Sequence, residues 1–234
     1  MKYLATLFTL VAVLALSGNA FAECDVTWLE CDGNGIFQPG GERSGGDYYF
    51  NVEGSSNGSY ASWAGARWTF DAITLDPGCV IDQICITLGQ DVGGFTHDGL
   101  VKVYLAPDSI APEVQEGGNL AYPYAHAASS TLLENFNFVG QTDGYQDVFC
   151  YEPGDAGFDE LAASVMDGTL VMAFVDGDAN VAATWGGIGN YANEMGGPRL
   201  CVSCSCVPEP STMLMIVMGG MFAGVMIRRR NRNK

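Results

Sequence analysis

Thr169-Leu170-Val171-Met172-Ala173-Phe174-Val175 is a seven-residue run without a charge, apolar at both odd and even positions. Side chains of a strand alternate between two faces. Leu170, Met172 and Phe174 therefore share one face and Val171, Ala173 and Val175 the other, which predicts a central strand buried on both sides. Outward from it, shorter alternating runs lie at Tyr48–Val52, Ser62–Phe70, Val80–Leu88, Leu100–Leu105, Phe136–Gln141, Gln146–Tyr151, Val181–Trp185 and Arg199–Val202, with Gly, Asp, Asn and Pro between them. Many short strands with frequent turn signals predict an all-β fold, an antiparallel β-sandwich of jelly-roll type. One helix is expected, at Phe158–Met166, and one long excursion, from Ala106 to Glu134. No repeat of 20–50 residues is visible, which argues against a solenoid or propeller.

Both ends of the chain differ from this body. Met1 and Lys2 precede an apolar run, Tyr3 to Leu16, and then Ser17-Gly18-Asn19-Ala20-Phe21-Ala22. A basic start, a short apolar stretch and small residues at the last and third-last positions predict a cleaved signal peptide over residues 1–22. The extracytoplasmic sandwich then occupies residues 23–206. At the other end, Pro208-Glu209-Pro210 is followed by a mostly apolar segment, residues 211–227, and a basic tail, residues 228–234, holding Arg228, Arg229, Arg230, Arg232 and Lys234. The apolar segment is expected to be a transmembrane helix, extended by snorkelling arginine stems. Its cationic end is expected to stay in the cytoplasm, leaving the body outside.

Charge supports this polarity. Of ten Lys and Arg in 234 residues, five lie in the last seven, whereas residues 23–207 carry four cations against 26 acids. So acidic a body lacks the basic footprint of a nucleic-acid binder, and no such partner is expected.

In the order of its three elements the C-terminal segment resembles the PEP-CTERM sorting signal of bacteria. That resemblance implies recognition by a membrane-embedded exosortase after export, cleavage near Pro208-Glu209-Pro210, and release or transfer to the cell surface, in systems associated with exopolysaccharide and biofilm. Proline fixes φ and removes a backbone donor, so this stretch stays extended and readable by a protease. The body, through Arg67-Trp68-Thr69-Phe70-Asp71, the Ile-rich run after Cys79, Val101-Lys102-Val103-Tyr104 and Gly197-Pro198-Arg199-Leu200, resembles DNRLRE-type carbohydrate-binding sandwiches, without that family's characteristic hexapeptide. The resemblance supports the fold more than the ligand, because sandwiches host many functions.

All eight cysteines, Cys24, Cys31, Cys79, Cys85, Cys150, Cys201, Cys204 and Cys206, lie downstream of the leader. Eight cysteines allow 105 pairings. Cys24 with Cys31 and Cys79 with Cys85 read as local loops, and Cys150 as a partner for Cys201. The spacing of Cys201, Cys204 and Cys206 would suit zinc in a cytosolic protein. With export and no histidine nearby, disulfides are expected instead.

Three further features bear on chemistry. Asp176, Asp178 and Asn180 place oxygen side chains at alternate positions of one turn, a pattern that suits a structural calcium ion. The EF-hand pattern is incomplete, with Val181 at the glycine position and Gly187 at the final glutamate position. Trp63 and Arg67, with Tyr104, lie opposite the expected core and could stack a sugar ring. Apart from calcium no cofactor is expected. No catalytic constellation is found: His97 and His126 are the two histidines, and neither a Gly-x-Ser-x-Gly nor a His-Glu-x-x-His segment occurs. The expectation is a non-catalytic surface or matrix protein, with a carbohydrate- or calcium-dependent binding module and a polysaccharide hydrolase as alternatives.

Overall fold

The computed structural model describes residues 26–38, 41–42, 48–75, 78–106, 130–188, 190 and 197–206. The expected leader and the membrane segment lie outside them. Among the described residues no helix is long and apolar enough to cross a membrane.

The strands are β1 (Val26–Glu30), β2 (Gly33–Gln38), β3 (Gly41–Glu42), β4 (Tyr49–Glu53), β5 (Trp63–Thr69), β6 (Cys79–Gly89) and β7 (Gly99–Leu105), then β8 (Thr131–Phe138), β9 (Gln146–Tyr151), β10 (Thr169–Asp176), β11 (Ala182–Gly186) and β12 (Arg199–Cys206). A short 3-10 segment spans Ser55–Tyr60, and one α-helix, α1, spans Phe158–Asp167. The strands form a four-stranded sheet, β1-β12-β6-β9, a six-stranded sheet, β3-β2-β5-β10-β7-β8, and a β11-β4 pair. The paired registers are antiparallel throughout, as in β10 against β5 (Leu170 opposite Trp68, Phe174 opposite Ala64) and β6 against β9 (Cys85 opposite Cys150). This is the mostly antiparallel sandwich that the alternation predicts.

The chain divides into two compact units. The larger, Val26–Thr74 with Ile81–Ser203, holds the sandwich; the smaller, Met1–Asp25, Leu75–Val80 and Cys204–Lys234, holds the chain ends. In the larger unit the core lies where inward-pointing aromatics meet. The Phe174 ring stands 5.1 Å from Phe50 and 5.5 Å from Phe149, and Phe138 lies 5.2 Å from Trp185. These edge-on arrangements suit the ring quadrupoles. Trp68 of β5 donates its indole N–H to the Leu29 carbonyl of β1 at 3.2 Å, a hydrogen bond between strands of the two larger sheets.

β10 is buried on both faces, as its sequence predicts, with Leu170 through Phe174 fully shielded. Helix α1 buries Phe158, Leu161 and Val165 and ends at Gly168. Gly168 has φ +82°, and a Cβ there would collide with the Phe70 carbonyl, so glycine is needed for this close approach.

Candidate functional site

Trp63, Arg67 and Tyr104 do share one face of the six-stranded sheet. Trp63 is two positions from Gly65, which lies opposite Ala173 of β10, and Ala173 in turn lies opposite Tyr104 of β7. Arg67 lies opposite Val171, and Lys102 opposite Val175. Two of the four cations of residues 23–207 thus join two aromatic residues on one acidic body's face. The face is not bare. Phe37, Ala106, Val171 and Ala173 are fully buried there, and Trp63, Tyr104 and Val175 pack half-buried against them. Phe37 and Trp63 stack with centroids 6.0 Å apart. The face opposite the sandwich core is therefore a second apolar layer, with the expected stacking residues at its margin.

The Asp176–Asn180 turn is organised by its middle carboxylate. Asp178 Oδ2 accepts from the Leu100 N–H at 2.6 Å, and Oδ1 accepts from Asn180 at 2.8 Å and Val181 at 3.0 Å. The Leu100 and Asn180 N–H groups hold the carboxyl below its ordinary range, since they favour the charged form. Asp178 closes the β10–β11 turn and ties it to β7. Among the described residues no group of three His, Cys, Asp or Glu is arranged to hold a metal ion.

Two other carboxyls are perturbed upward. Burial raises Asp147 despite hydrogen bonds from Gln90 and Trp185 that oppose the shift. Burial also raises Glu134, beside the Tyr151 hydroxyl, with Asp155 adding to the effect. The sequence marked neither, because desolvation depends on what packs above a residue. Asp147 faces the core, and its Oδ2 accepts from both Gln90 and Trp185, which suits it to structure rather than proton transfer.

The disulfide expectations need correction in detail. Cys79 bonds Cys206, and Cys85 bonds Cys150. Cys79 and Cys85 lie on one strand, six residues and roughly 20 Å apart, beyond the ~7 Å limit for a bridge. Cys150 is directly opposite Cys85 and so does not reach Cys201, which keeps its thiol. Cys204 is disulfide-bonded as well, so two of the three cysteines with zinc-like spacing are oxidised. Cys24 lies outside the described residues. Buried Cys31 donates its backbone N–H to Pro198 at 2.9 Å.

β12 is an inner strand of its sheet and ends at Cys206, two residues before Pro208. Pro208, Glu209, Pro210 and the basic cluster of Arg228, Arg229, Arg230, Arg232 and Lys234 lie outside the described residues. Residues 207–230 match the PEP-CTERM protein-sorting motif. The motif marks a surface protein processed by an exosortase at the membrane. It covers the tail alone. No curated protein matches the chain. Among solved structures, the chain is similar to the CBM22-1 and GH10 modules of an endo-1,4-beta-D-xylanase from Clostridium thermocellum, complexed with xylohexaose. The identity is 9% and the TM-score 0.30, over 79% of this chain and 29% of that one, so this chain spans under a third of its neighbour's length.

Proposed function

We propose that this chain is exported, inserted with its cationic end in the cytoplasm, cut by an exosortase near Pro208-Glu209-Pro210, and delivered as a non-catalytic β-sandwich to the cell surface or extracellular matrix. The carrying observation is the sorting motif at residues 207–230, which begins directly after β12. Removing the tail there would leave every strand of the sandwich on the released side of the cut. Association with exopolysaccharide and biofilm is part of the same reading. Deleting residues 208–234 tests it: material should no longer be retained at the membrane before processing, and unchanged retention sinks the proposal.

A second reading, binding of a matrix glycan, is favoured by the gathering of Trp63, Tyr104, Arg67 and Lys102 on one sheet face. Aromatic faces beside cations suit sugar rings with acidic substituents. Sedimentation of the protein with purified matrix polysaccharide tests it. Binding should fall at least tenfold in Trp63→Ala, and a protein that never co-sediments removes the reading.

A further inference from the structure

Three neighbouring strands of the four-stranded sheet, β12, β6 and β9, each turn a cysteine away from the core. On β12, Leu200 and Val202 are buried, so Cys201 between them points to the opposite face. Buried Ile84 and Ile86 turn Cys85 of β6 the same way, and buried Phe149 and Tyr151 do so for Cys150 of β9. The Cys85–Cys150 disulfide therefore joins β6 to β9 on the outer face. The Cys201 thiol shares that face, one strand away on the other side of β6.

Register brings this thiol level with the bond. Cys79 opens β6, Cys206 closes β12, and the two are bonded. Strands joined at these ends lie side by side only if they run antiparallel. Cys85 is six residues along β6 from that bond, and Cys201 five residues back along β12. The two are therefore within about one residue step, roughly 3.3 Å, of the same level. With neighbouring strands about 4.8 Å apart, their Cα atoms are roughly 6 Å apart, inside the range that a disulfide spans. Cys150 lies two strands from Cys201, with Cys85 between them. Strand order thus sets three sulfurs in a row, the arrangement that displacement at the middle sulfur requires.

We infer that Cys201, Cys85 and Cys150 form a thiol–disulfide relay. The Cys201 thiolate attacks Cys85 Sγ, the Cys85–Cys150 bond breaks, and Cys150 leaves as a thiolate that takes up the proton Cys201 gave up. One disulfide and one thiol stand on each side, so no oxidant or reductant is consumed. Cys85–Cys150 is the resting form. Exchange moves the thiol from half-buried Cys201 on an inner strand to exposed Cys150 on the edge strand β9. There it attacks an external disulfide, forming a mixed disulfide at Cys150 and releasing the other half as a thiol. Cys150 is thereby a modification site that depends on Cys201.

The test is incubation of the full chain, purified in detergent without reductant, with oxidised glutathione. Acid quenching, maleimide blocking and unreduced peptide mapping by mass spectrometry then locate the bonds. The relay predicts glutathione on Cys150 together with a Cys85–Cys201 linked peptide. Modification of Cys150 should fall at least tenfold in Cys201→Ser and persist in Cys31→Ser, which removes the other, buried thiol. Glutathione on Cys201 alone with Cys85–Cys150 intact overturns the relay, as does an unmodified Cys150 or one modified equally in Cys201→Ser. Should Cys201→Ser not fold, the wild-type map decides by itself, through the presence or absence of the Cys85–Cys201 peptide.

Discussion

Trp185 and Asp147, 38 residues apart in sequence, meet inside the sandwich, where the indole Nε1 donates to Asp147 Oδ2 at 2.7 Å. Gln90 donates to the same oxygen at 2.9 Å and also to the Val139 carbonyl at 3.1 Å, while its own Oε1 holds the Gln141 N–H at 2.8 Å. One buried carboxylate thereby links β9, β11 and the loops that follow β6 and β8. Trp185→Phe keeps an aromatic ring but removes a donor from a desolvated acceptor. The expected loss is about 2–3 kcal/mol of unfolding free energy, measured by urea denaturation.

The pH dependence of this network has a definite sign. Burial places the folded pKa of Asp147 above its unfolded value. The resulting contribution is present below the unfolded pKa and is lost as pH rises through the folded one. Between the ordinary carboxylate range and neutrality, wild-type stability should therefore fall relative to Asp147→Asn, which does not titrate. Glu134, raised in the same direction, stays in both proteins and cancels in the comparison. Melting curves from pH 4 to 7 measure the difference, and parallel curves would remove Asp147 as the titrating group.

Asp178 works in the opposite direction. Its pKa is lowered by backbone N–H groups, so its contribution is present above the unfolded pKa and lost as pH falls through the folded one. Asp178→Ala should cost about 1–2 kcal/mol at neutral pH without calcium, from lost turn hydrogen bonds. Denaturation in chelator checks this. Loss of stability in Asp178→Ala would thus not by itself indicate a bound ion.

The Cys85–Cys150 bond closes a sequence separation of 65 residues. Restricting the unfolded chain over such a loop is worth about 4 kcal/mol. The double variant Cys85→Ser with Cys150→Ser should lose roughly that much while keeping its β-sheet circular dichroism, because the register of β6 and β9 is also set by Ile84, Ile86, Phe149 and Tyr151.

Phe174→Ala should be the most damaging single core change of those considered, at about 3–5 kcal/mol by denaturation. It empties the position contacted by Phe50, Phe149 and Trp185.

The strands legible in the sequence are those whose alternation follows burial. Gln146–Tyr151 falls on β9 without a shift, and Thr169–Val175 falls one residue short of the end of β10. β2 escaped notice because Gly33-Asn34-Gly35 reads as a turn. Its Asn34 is instead fully buried, donating to the Tyr49 carbonyl at 3.3 Å and accepting the Ile188 N–H at 2.9 Å. β8 starts at Thr131, not near Phe136, since Glu134, Asn135 and Asn137 mask a strand that faces solvent on one side. Cysteine pairing was not legible locally, because strand order puts Cys150 beside Cys85. The shared face of Trp63, Arg67 and Tyr104 was partly legible from parity and Val171, Ala173 and Val175 from the two-sided strand, but not the apolar layer they build together. The juxtaposition of Cys201 with Cys85 could not be read, because it exists only once β12 lies beside β6.

Mass spectrometry of the mature protein from its native cell tests the central claim most directly. The account predicts an N-terminus at Glu23, a C-terminus between Cys206 and Met213, and intact Cys79–Cys206 and Cys85–Cys150 bonds. A mature chain that still carries Arg228–Lys234, or the leader before Glu23, would contradict it.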